Sequence, residues 1–288
     1  GMIFVAIPGE HVDGHQFINT AIDRGAAAII CQQNGFSSQR ATKIKVADTR
    51  EALARAAAAF YQHPSTKLKV IGVTGTNGKT TVAFMVKEIL EAAGIKTGLI
   101  GTVRYEIGER VIPAHRTTPE ALEIQQMMAQ MLRAGCGACV MEVSSHALDQ
   151  KRVCGIDFDL GIFTNLTQDH LDYHGTMEDY YVAKKKLFTS LHASAKPGGA
   201  VINIDDAFGV RLAQETKAEV QLTYGLGEAA TLRATQIQLG RDTTRFKIET
   251  PEQNFSCQLP LIGRHNIYNA LAAVGAALVL KVPVPTIK

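Results

Sequence analysis

What this sequence lacks narrows its function before any motif is read. No apolar stretch is long enough for a bilayer. The longest, 270–280, falls well short of the roughly 20 residues a spanning helix needs. The amino terminus, GMIFVAIPGEH, has no basic leader and is broken by Pro8 and Gly9, so it does not read as a signal peptide. A cytoplasmic protein without membrane insertion follows by default. The net charge of +3 suits anionic small molecules but is too small and too scattered to argue for nucleic acid. The five cysteines, at 31, 136, 139, 154 and 257, form no disulfide framework. Cys136 and Cys139 are spaced as C-x-x-C but have no second pair and no nearby histidine pair, so they read as small buried hydrophobes. Tryptophan, internal repeats and low-complexity tracts are absent. The remaining composition, 46% hydrophobic and 20% charged over 288 residues, is that of a globular chain large enough for two domains.

The most informative stretch present is VIGVTGTNGKTTVAFMVKEIL, residues 70–90. A β-branched run stops at a glycine-rich turn, and a helix-period pattern begins at Lys79. This is the strand–loop–helix layout of a phosphate-binding loop. Gly75 and Gly78 free the backbone to turn its N–H groups toward an anion, and the helix N-terminus adds its positive dipole. Lys79 is placed to reach terminal phosphates, and the Thr80 hydroxyl to join a Mg²⁺ shell. The loop departs from G-x-x-x-x-G-K-[ST] at its first glycine position, which holds Val73. A plain helix-capping turn is the bland alternative, but it does not account for GTNGKTT between a strand and a helix. A nucleoside triphosphate site is expected.

Residues 1–66 read as a small α/β unit: a strand in MIFVAI, a helix then a strand in FINTAIDRGAAAII, and a helix stopped by Pro64. HPSTKLK reads as a short polar linker. The chain begins directly in an apolar strand, which suggests further residues upstream. From residue 67 strands and helices alternate, with strands expected at 69–74, 97–102, 138–143, 158–164 and 199–203. Helices are expected at 79–93, closed by Gly94, and at 119–134, capped by Thr118 and opened by Pro119. Another follows Thr176, with Asp179 at the capping-box position, and a last one covers 265–281. Residues 218–262 alternate apolar and polar and read as antiparallel strands. The predicted fold is α/β: a central P-loop-type, mostly parallel sheet flanked by helices, with a small antiparallel section, preceded by a small partial α/β domain.

Ligands of such sheets gather at the carboxyl ends of the strands. ACVMEV carries Glu142 near such an end, where a Mg²⁺-holding carboxylate is usually placed. SSHALDQKR follows at once, dense in polar groups. DLGIFTNLTQDHLDYHG ends in His170, Asp172 and His174, three groups better explained as a site than as structure. Lys184, Lys185 and Lys186 would by spacing alone be a solvated basic face.

The ordered set GTNGKTT, HRTTPEA, MEVSSHALDQKRV, FTNLTQDHLDYHGTMEDYYVAKKKLF and GRHNIYNALAA resembles the Mur ligase family over essentially the whole chain. Within that family it is most similar to the branch that adds the third residue of the peptidoglycan stem peptide. FVAIPGEHVDGHQFI resembles the family's amino-terminal, uridine-binding domain. The resemblance implies residues 1–66 as part of that domain and 67–288 as the central ATP-binding domain. It implies an ATP-dependent ligase of peptidoglycan biosynthesis, its substrates UDP-N-acetylmuramoyl-L-alanyl-D-glutamate and a diamino acid, meso-diaminopimelate ahead of L-lysine. The glutamate carboxylate would be activated as an acyl phosphate and then attacked by the amine. A monomer is expected.

By the same resemblance Gly75, Thr76, Asn77, Gly78, Lys79, Thr80 and Thr81 hold the phosphates, and Asn266 and Asn269 lie close to the adenine. Thr80, Glu142, His170 and a carbamylated Lys184 are implied as magnesium ligands, which overrides the basic-face reading for Lys184 alone. Lys79, Glu142, His170 and Lys184 form the implied catalytic set. Thr117, Thr118, Ser144, Gln150 and Arg152 match positions that contact the UDP-muramoyl-peptide. Arg116 departs from the asparagine found in some members. The family's Asp-Ser-Arg uridine contact and its carboxy-terminal domain, which carries amino-acid selectivity, find no counterpart here, so this stretch is expected to bind nucleotide without turnover. The competing readings are another Mur ligase, a folylpolyglutamate synthetase, or a P-loop kinase or NTPase whose turnover needs no amine.

Overall fold

A computed structural model describes residues 2–9, 12–33, 38–193, 196 and 198–288. Glu10 and His11, within the segment likened to a uridine-binding domain, lie outside the described residues. The amino-terminal unit is a three-stranded parallel sheet in the order β1 (Met2–Val5), β2 (Ala26–Cys31), β3 (Thr42–Lys45). Helix α1 (Ile18–Asp23) follows β1, and α2 (Thr49–Phe60) follows β3. Ala6, Ile18, Ile22, Ile29 and Cys31 form its core. Asp48 caps α2 by accepting the Glu51 N–H at 2.9 Å. Pro64 does not itself stop α2: the helix ends at Phe60, and Gln62 and His63 turn left-handed before Pro64 opens a 3₁₀ turn.

The segment expected as a polar linker is instead a packed junction. Pro64, Ser65 and Leu68 are buried. Lys196 Nζ donates to the Ser65 and Leu68 carbonyls at 2.6 and 2.7 Å, and to Asp159 Oδ2 at 2.9 Å. Backbone polar groups of a connecting segment need partners once they leave water, and the lysine supplies them.

The body is one eleven-stranded sheet. In chain order its elements are β4 (Lys69–Thr74), α3 (Lys79–Ala92), β5 (Thr97–Ile100), β6 (Arg104–Ile107), β7 (Arg110–Pro113), α4 (Ala121–Arg133), β8 (Ala138–Glu142), α5 (Ser145–Asp149) and β9 (Leu160–Phe163). There follow α6 (Leu171–His174), α7 (Met177–Ala193), β10 (Gly199–Asn203), α8 (Ala207–Glu215), β11 (Val220–Gly225), β12 (Leu232–Leu239), β13 (Thr244–Glu249), β14 (Asn254–Leu259), α9 (Arg264–Val279) and α10 (Val284–Ile287). The strand order is β14-β13-β12-β11-β10-β9-β4-β8-β5-β6-β7. From β11 to β5 every pairing is parallel.

Alternate residues of the central strands serve opposite layers, as strand geometry requires. Ile71, Val73, Val140 and Ile162 enter a core with α3 and α9, whereas Val70, Cys139, Met141 and Phe163 enter one with α4 and α7. Burial on both faces is what gives these strands their unbroken apolar runs.

Four local expectations need correction. First, β11 pairs in parallel with β10, and at Tyr224 and Gly225 with β12, so only β12, β13 and β14 form the antiparallel wing. Second, α4 starts at Ala121. Glu120 is its cap, in a reciprocal capping box with Glu123, while the buried Thr118 bonds elsewhere. Third, the sequence reading also missed β3 and, fourth, the antiparallel hairpin β6–β7, both made of four-residue strands. Four residues are too few to establish a period against a charged background.

Candidate active site at the carboxyl ends of the parallel strands

The loop between β4 and α3 is shaped by two glycines with positive φ, 146° at Gly75 and 88° at Gly78. A Cβ at Gly75 would stand 1.9 Å from Thr164 Oγ1, and one at Gly78 2.4 Å from Asn269 Oδ1. Neither position has room for a side chain. Residues after β9 pin the loop: the Thr76 and Asn77 N–H groups donate to Asn165 O and Oδ1, each at 2.9 Å. Thr164 Oγ1 donates to the Asn77 carbonyl at 2.6 Å. Gly78 caps α3 and offers no side chain to its first-turn N–H groups. A fourteen-residue helix thus presents its positive end to the loop without an internal counter-ligand, the arrangement that accepts phosphate.

Two lysines converge behind this loop. Lys79 Nζ donates to the Gly75 and Thr76 carbonyls at 2.9 and 2.8 Å, and Lys184 Nζ donates to the same Gly75 carbonyl at 2.9 Å. Lys184 is 2% exposed and its ammonium lies 4.5 Å from the centre of the Tyr180 ring. Burial pushes its pKa well below the ordinary lysine range, and the Lys79 charge pushes it further against the weaker pull of Asp169. Burial also lowers Lys79, which Glu142 and Asp169 oppose. The next two lysines are surface groups paired with acids, Lys185 with Glu215 at 2.8 Å and Lys186 with Asp149 at 2.7 Å.

Glu142, at the end of β8, is 1% exposed. Its carboxylate accepts from Thr80 Oγ1 at 2.9 Å, from the Thr102 N–H at 2.8 Å and from Thr102 Oγ1 at 3.0 Å. A buried carboxylate touching the hydroxyl of the residue after the loop lysine is a hard-oxygen donor set. It fits Mg²⁺, which takes one or two protein oxygens and completes its shell with phosphate and water. Among the described residues no group of three or more His, Cys, Asp or Glu is assembled to hold a metal. His170 is left-handed, with φ 53°, and half-exposed. Its ring lies 6.1 Å from that of Tyr180 and 4.9 Å from that of His146. Thr80 and Glu142 therefore meet directly, whereas His170 and Lys184 border the same tyrosine.

Four of the five residues likened to peptide contacts form one network at the Glu142 carbonyl, and the fifth, Thr117, meets Thr102 beside the Glu142 carboxylate. Thr118 Oγ1 donates to the Glu142 carbonyl at 2.8 Å and accepts the Ser144 N–H at 3.0 Å. Ser144 caps α5 through the Ala147 N–H at 3.2 Å. Arg152 donates to Thr118 O at 3.1 Å and to Gln150 Oε1 at 2.6 Å. Gln150 in turn reaches the Tyr173 hydroxyl at 3.3 Å, and the Thr117 hydroxyl meets that of Thr102 at 3.1 Å. The Arg152 Nε is buried without a hydrogen-bond partner; Glu120 Oε1, 3.3 Å away, is in ion-pair range but poorly aligned. Arg116 is drawn off to an ion pair with Glu120.

Beside the loop opens a cleft of about 590 Å³, lined by Asn77, Gly78, Thr81, Asn165, Tyr268 and Asn269 among others. Asn266 and Asn269 are buried at the start of α9 and bonded to each other at 3.1 Å. The sequence reading missed several groups that shape this centre: Thr102, Thr164, Asn165, Tyr180 and Asp205, which accepts the Tyr268 hydroxyl at 2.9 Å. Their signal was positional, since Thr102, Thr164, Asn165 and Asp205 all fall just past the carboxyl end of a strand.

A parallel sheet with a glycine-shaped loop, a buried acid and a buried lysine gathered at the carboxyl ends of its central strands defines a P-loop-type α/β protein. Comparison with known families is more specific. Residues 73–277 match the Mur ligase middle domain, and residues 1–61 match the Mur ligase family catalytic domain. The chain belongs to the Mur ligase family. It is 44% identical over 283 residues to a UDP-N-acetylmuramoyl-L-alanyl-D-glutamate–2,6-diaminopimelate ligase of Geobacter metallireducens, covering 97% of this chain and 55% of that protein. Among solved structures, one of an enzyme with that same name superposes with a TM-score of 0.88 at 29% identity, over 100% of this chain and 58% of the other. A D-alanyl-D-alanyl-adding ligase from Acinetobacter baumannii gives 0.67 at 25% identity, over 99% and 58%. The chain thus spans a little over half the length of the relatives it matches.

Proposed function

We propose that this chain is the nucleotide-binding body of an ATP-dependent ligase in peptidoglycan synthesis. The ligase joins meso-diaminopimelate, rather than L-lysine, to UDP-N-acetylmuramoyl-L-alanyl-D-glutamate. The observation that carries this reading is the contact of Thr80 with the buried Glu142 beside the end of α3, whose first turn has no side-chain cap. The names borne by the relatives supply the diamino acid. We assign residues 1–66 to a partial uridine-nucleotide-binding domain and 67–288 to the central ATP-binding domain. We also expect the 288-residue chain alone to bind nucleotide without completing the ligation.

In this reading the loop 75–81 and α3 bind the phosphates, and Asn266 and Asn269 bound the adenine end of the cleft. Lys79 exchanges its two loop carbonyls for phosphate oxygens. The carboxylate of the muramoyl dipeptide takes the γ-phosphoryl group, because a carboxylate is a poor acyl donor until one oxygen leaves as phosphate. Attack by the amine at that carbonyl gives a tetrahedral intermediate. Its collapse expels phosphate, and the nitrogen loses its proton. Thr117, Thr118, Ser144, Gln150 and Arg152 orient the dipeptide. Thr80 and Glu142, with His170 and Lys184, would hold Mg²⁺, which supplies charge neutralisation on the phosphates. Lys184 has reason to be carbamylated: burial and the Lys79 charge disfavour its ammonium form and so favour the nucleophilic amine. Addition of CO₂ with loss of a proton turns it into an anion facing Lys79 instead of a second cation. Among the described residues no helix is long and apolar enough to cross a membrane. We place the reaction in the cytoplasm, on a monomer.

The test is phosphate release by the full-length protein with Mg-ATP and the UDP-muramoyl dipeptide, adding meso-diaminopimelate or L-lysine separately, alongside calorimetric titration of Mg-ATP into the 288-residue chain. Release dependent on meso-diaminopimelate is expected. Release indifferent to the amine would return the chain to P-loop NTPases at large.

A further inference from the structure

Lys151 stands between Gln150 and Arg152, yet its side chain points away from both and into the amino-terminal unit. Its Nζ lies 2.9 Å from Asp48 Oδ2 and 2.8 Å from Glu51 Oε2. Both acids belong to the first turn of α2, and Asp48 is that helix's cap. The backbone at Lys151 is left-handed, with φ 56°, a conformation that disfavours any residue with a Cβ and would normally select glycine. The turn itself is closed by backbone, Arg152 N–H to Ala147 O at 2.8 Å. A glycine would serve that turn better, so the turn does not explain the lysine.

The ion pairs do. Three consecutive residues leave the end of α5 in two directions: the outer two join the Thr118 and Tyr173 network, and the middle one grips α2. Immediately downstream Gly155 packs against Ala54 and Ala58 of the same helix, so the contact continues as close packing. We infer that Lys151 is a positioning residue that couples the amino-terminal unit to the 150–152 segment. An elongated ligand held at one end by the amino-terminal unit and at the other by Gln150 and Arg152 would then meet both ends in register. The inference rests on the proposed function for the identity of that ligand, but the mechanical coupling does not.

Two measurements separate these. In hydrogen exchange on the 288-residue chain, Lys151→Gly relieves the backbone and removes the ammonium. We expect faster exchange in both the first turn of α2 and the 144–152 segment, with an unchanged or raised Tm. Exchange that stays at the wild-type rate in α2 would overturn the coupling. In the full-length ligase, the same variant should raise KM for the UDP-muramoyl dipeptide roughly fivefold, as expected for partly exposed ion pairs. Its kcat and KM for ATP should change less than twofold, and Lys151→Arg should restore KM. An unchanged KM in an active enzyme would overturn the positioning role. Absence of amine-dependent turnover in the wild type would instead strike the proposed function and leave the exchange result standing.

Discussion

The middle of the large sheet and its antiparallel wing are built on opposite principles. Strands β4, β8 and β9 are buried almost without interruption, whereas β12 and β14 alternate or lose burial along their length. In the middle, helices cover both faces, so each strand's side chains are used up in packing and chemistry is displaced to the strand ends. Thr74, Glu142 and Thr164 are the polar residues that stay buried there. The wing keeps one wet face of glutamines, lysines and arginines, and none of the candidate site residues lies on it. The centre gathers the candidate site residues; the wing closes the core over α9.

That contrast can be broken at four points, in falling order of effect. In the full-length protein Glu142→Gln should lower amine-dependent phosphate release by about 10²–10³-fold, since a neutral amide cannot replace a buried carboxylate in a site that stabilises phosphoryl charge. Mg-ATP titration and turnover assays would show it. Lys184→Met should also lower turnover, by less than Glu142→Gln does, yet stabilise the ligand-free chain. Because burial depresses this lysine, the folded chain binds fewer protons than the unfolded one between the depressed value and the ordinary 10.5. Stability of the wild type therefore rises with pH across that interval, and the penalty is fully present below it. In bicarbonate-free buffer the methionine variant should melt higher at neutral pH, with the advantage shrinking as pH approaches 10.5. A constant difference in Tm across pH would contradict the assignment.

In the wing the order reverses. Phe246→Ala removes a side chain that is 3% exposed and should destabilise the fold by about 3–5 kcal/mol in denaturant titrations. Its kcat at low temperature should stay near wild type. Arg245→Ala, which forfeits only an exposed bond to Gln258 at 3.0 Å, should shift stability by no more than about 0.5 kcal/mol and leave turnover unchanged. Loss of activity in either wing variant while folded would erase the division between the two regions.

The same contrast explains what the sequence disclosed. The centre was legible because a strand buried on both faces, a glycine turn and a helix are all local patterns, and β4 and β10 fall at the expected residues. The wing's alternation was legible too, but alternation reports one wet face and not strand direction, so β11 read as antiparallel. Thr118 looked like a helix cap because it precedes Pro119. The fold spends its hydroxyl on Glu142 O and the Ser144 N–H instead, a use visible only once β8 is beside it. Likewise Lys184 is indistinguishable by spacing from Lys185 and Lys186. One helical position decides that it points inward to Gly75 while its neighbours meet Glu215 and Asp149. Asn165 and Thr102 escaped notice because their partners lie 88 and 40 residues away.

If the muramoyl dipeptide is activated as an acyl phosphate, one of its carboxylate oxygens must leave as part of phosphate. The most direct measurement uses dipeptide labelled with ¹⁸O in the γ-carboxylate of its glutamate, turned over by the full-length protein with Mg-ATP and meso-diaminopimelate. The phosphate released is expected to carry ¹⁸O from that carboxylate. Unlabelled phosphate, with the amide product formed, would show that the acyl group was never phosphorylated and would contradict that activation.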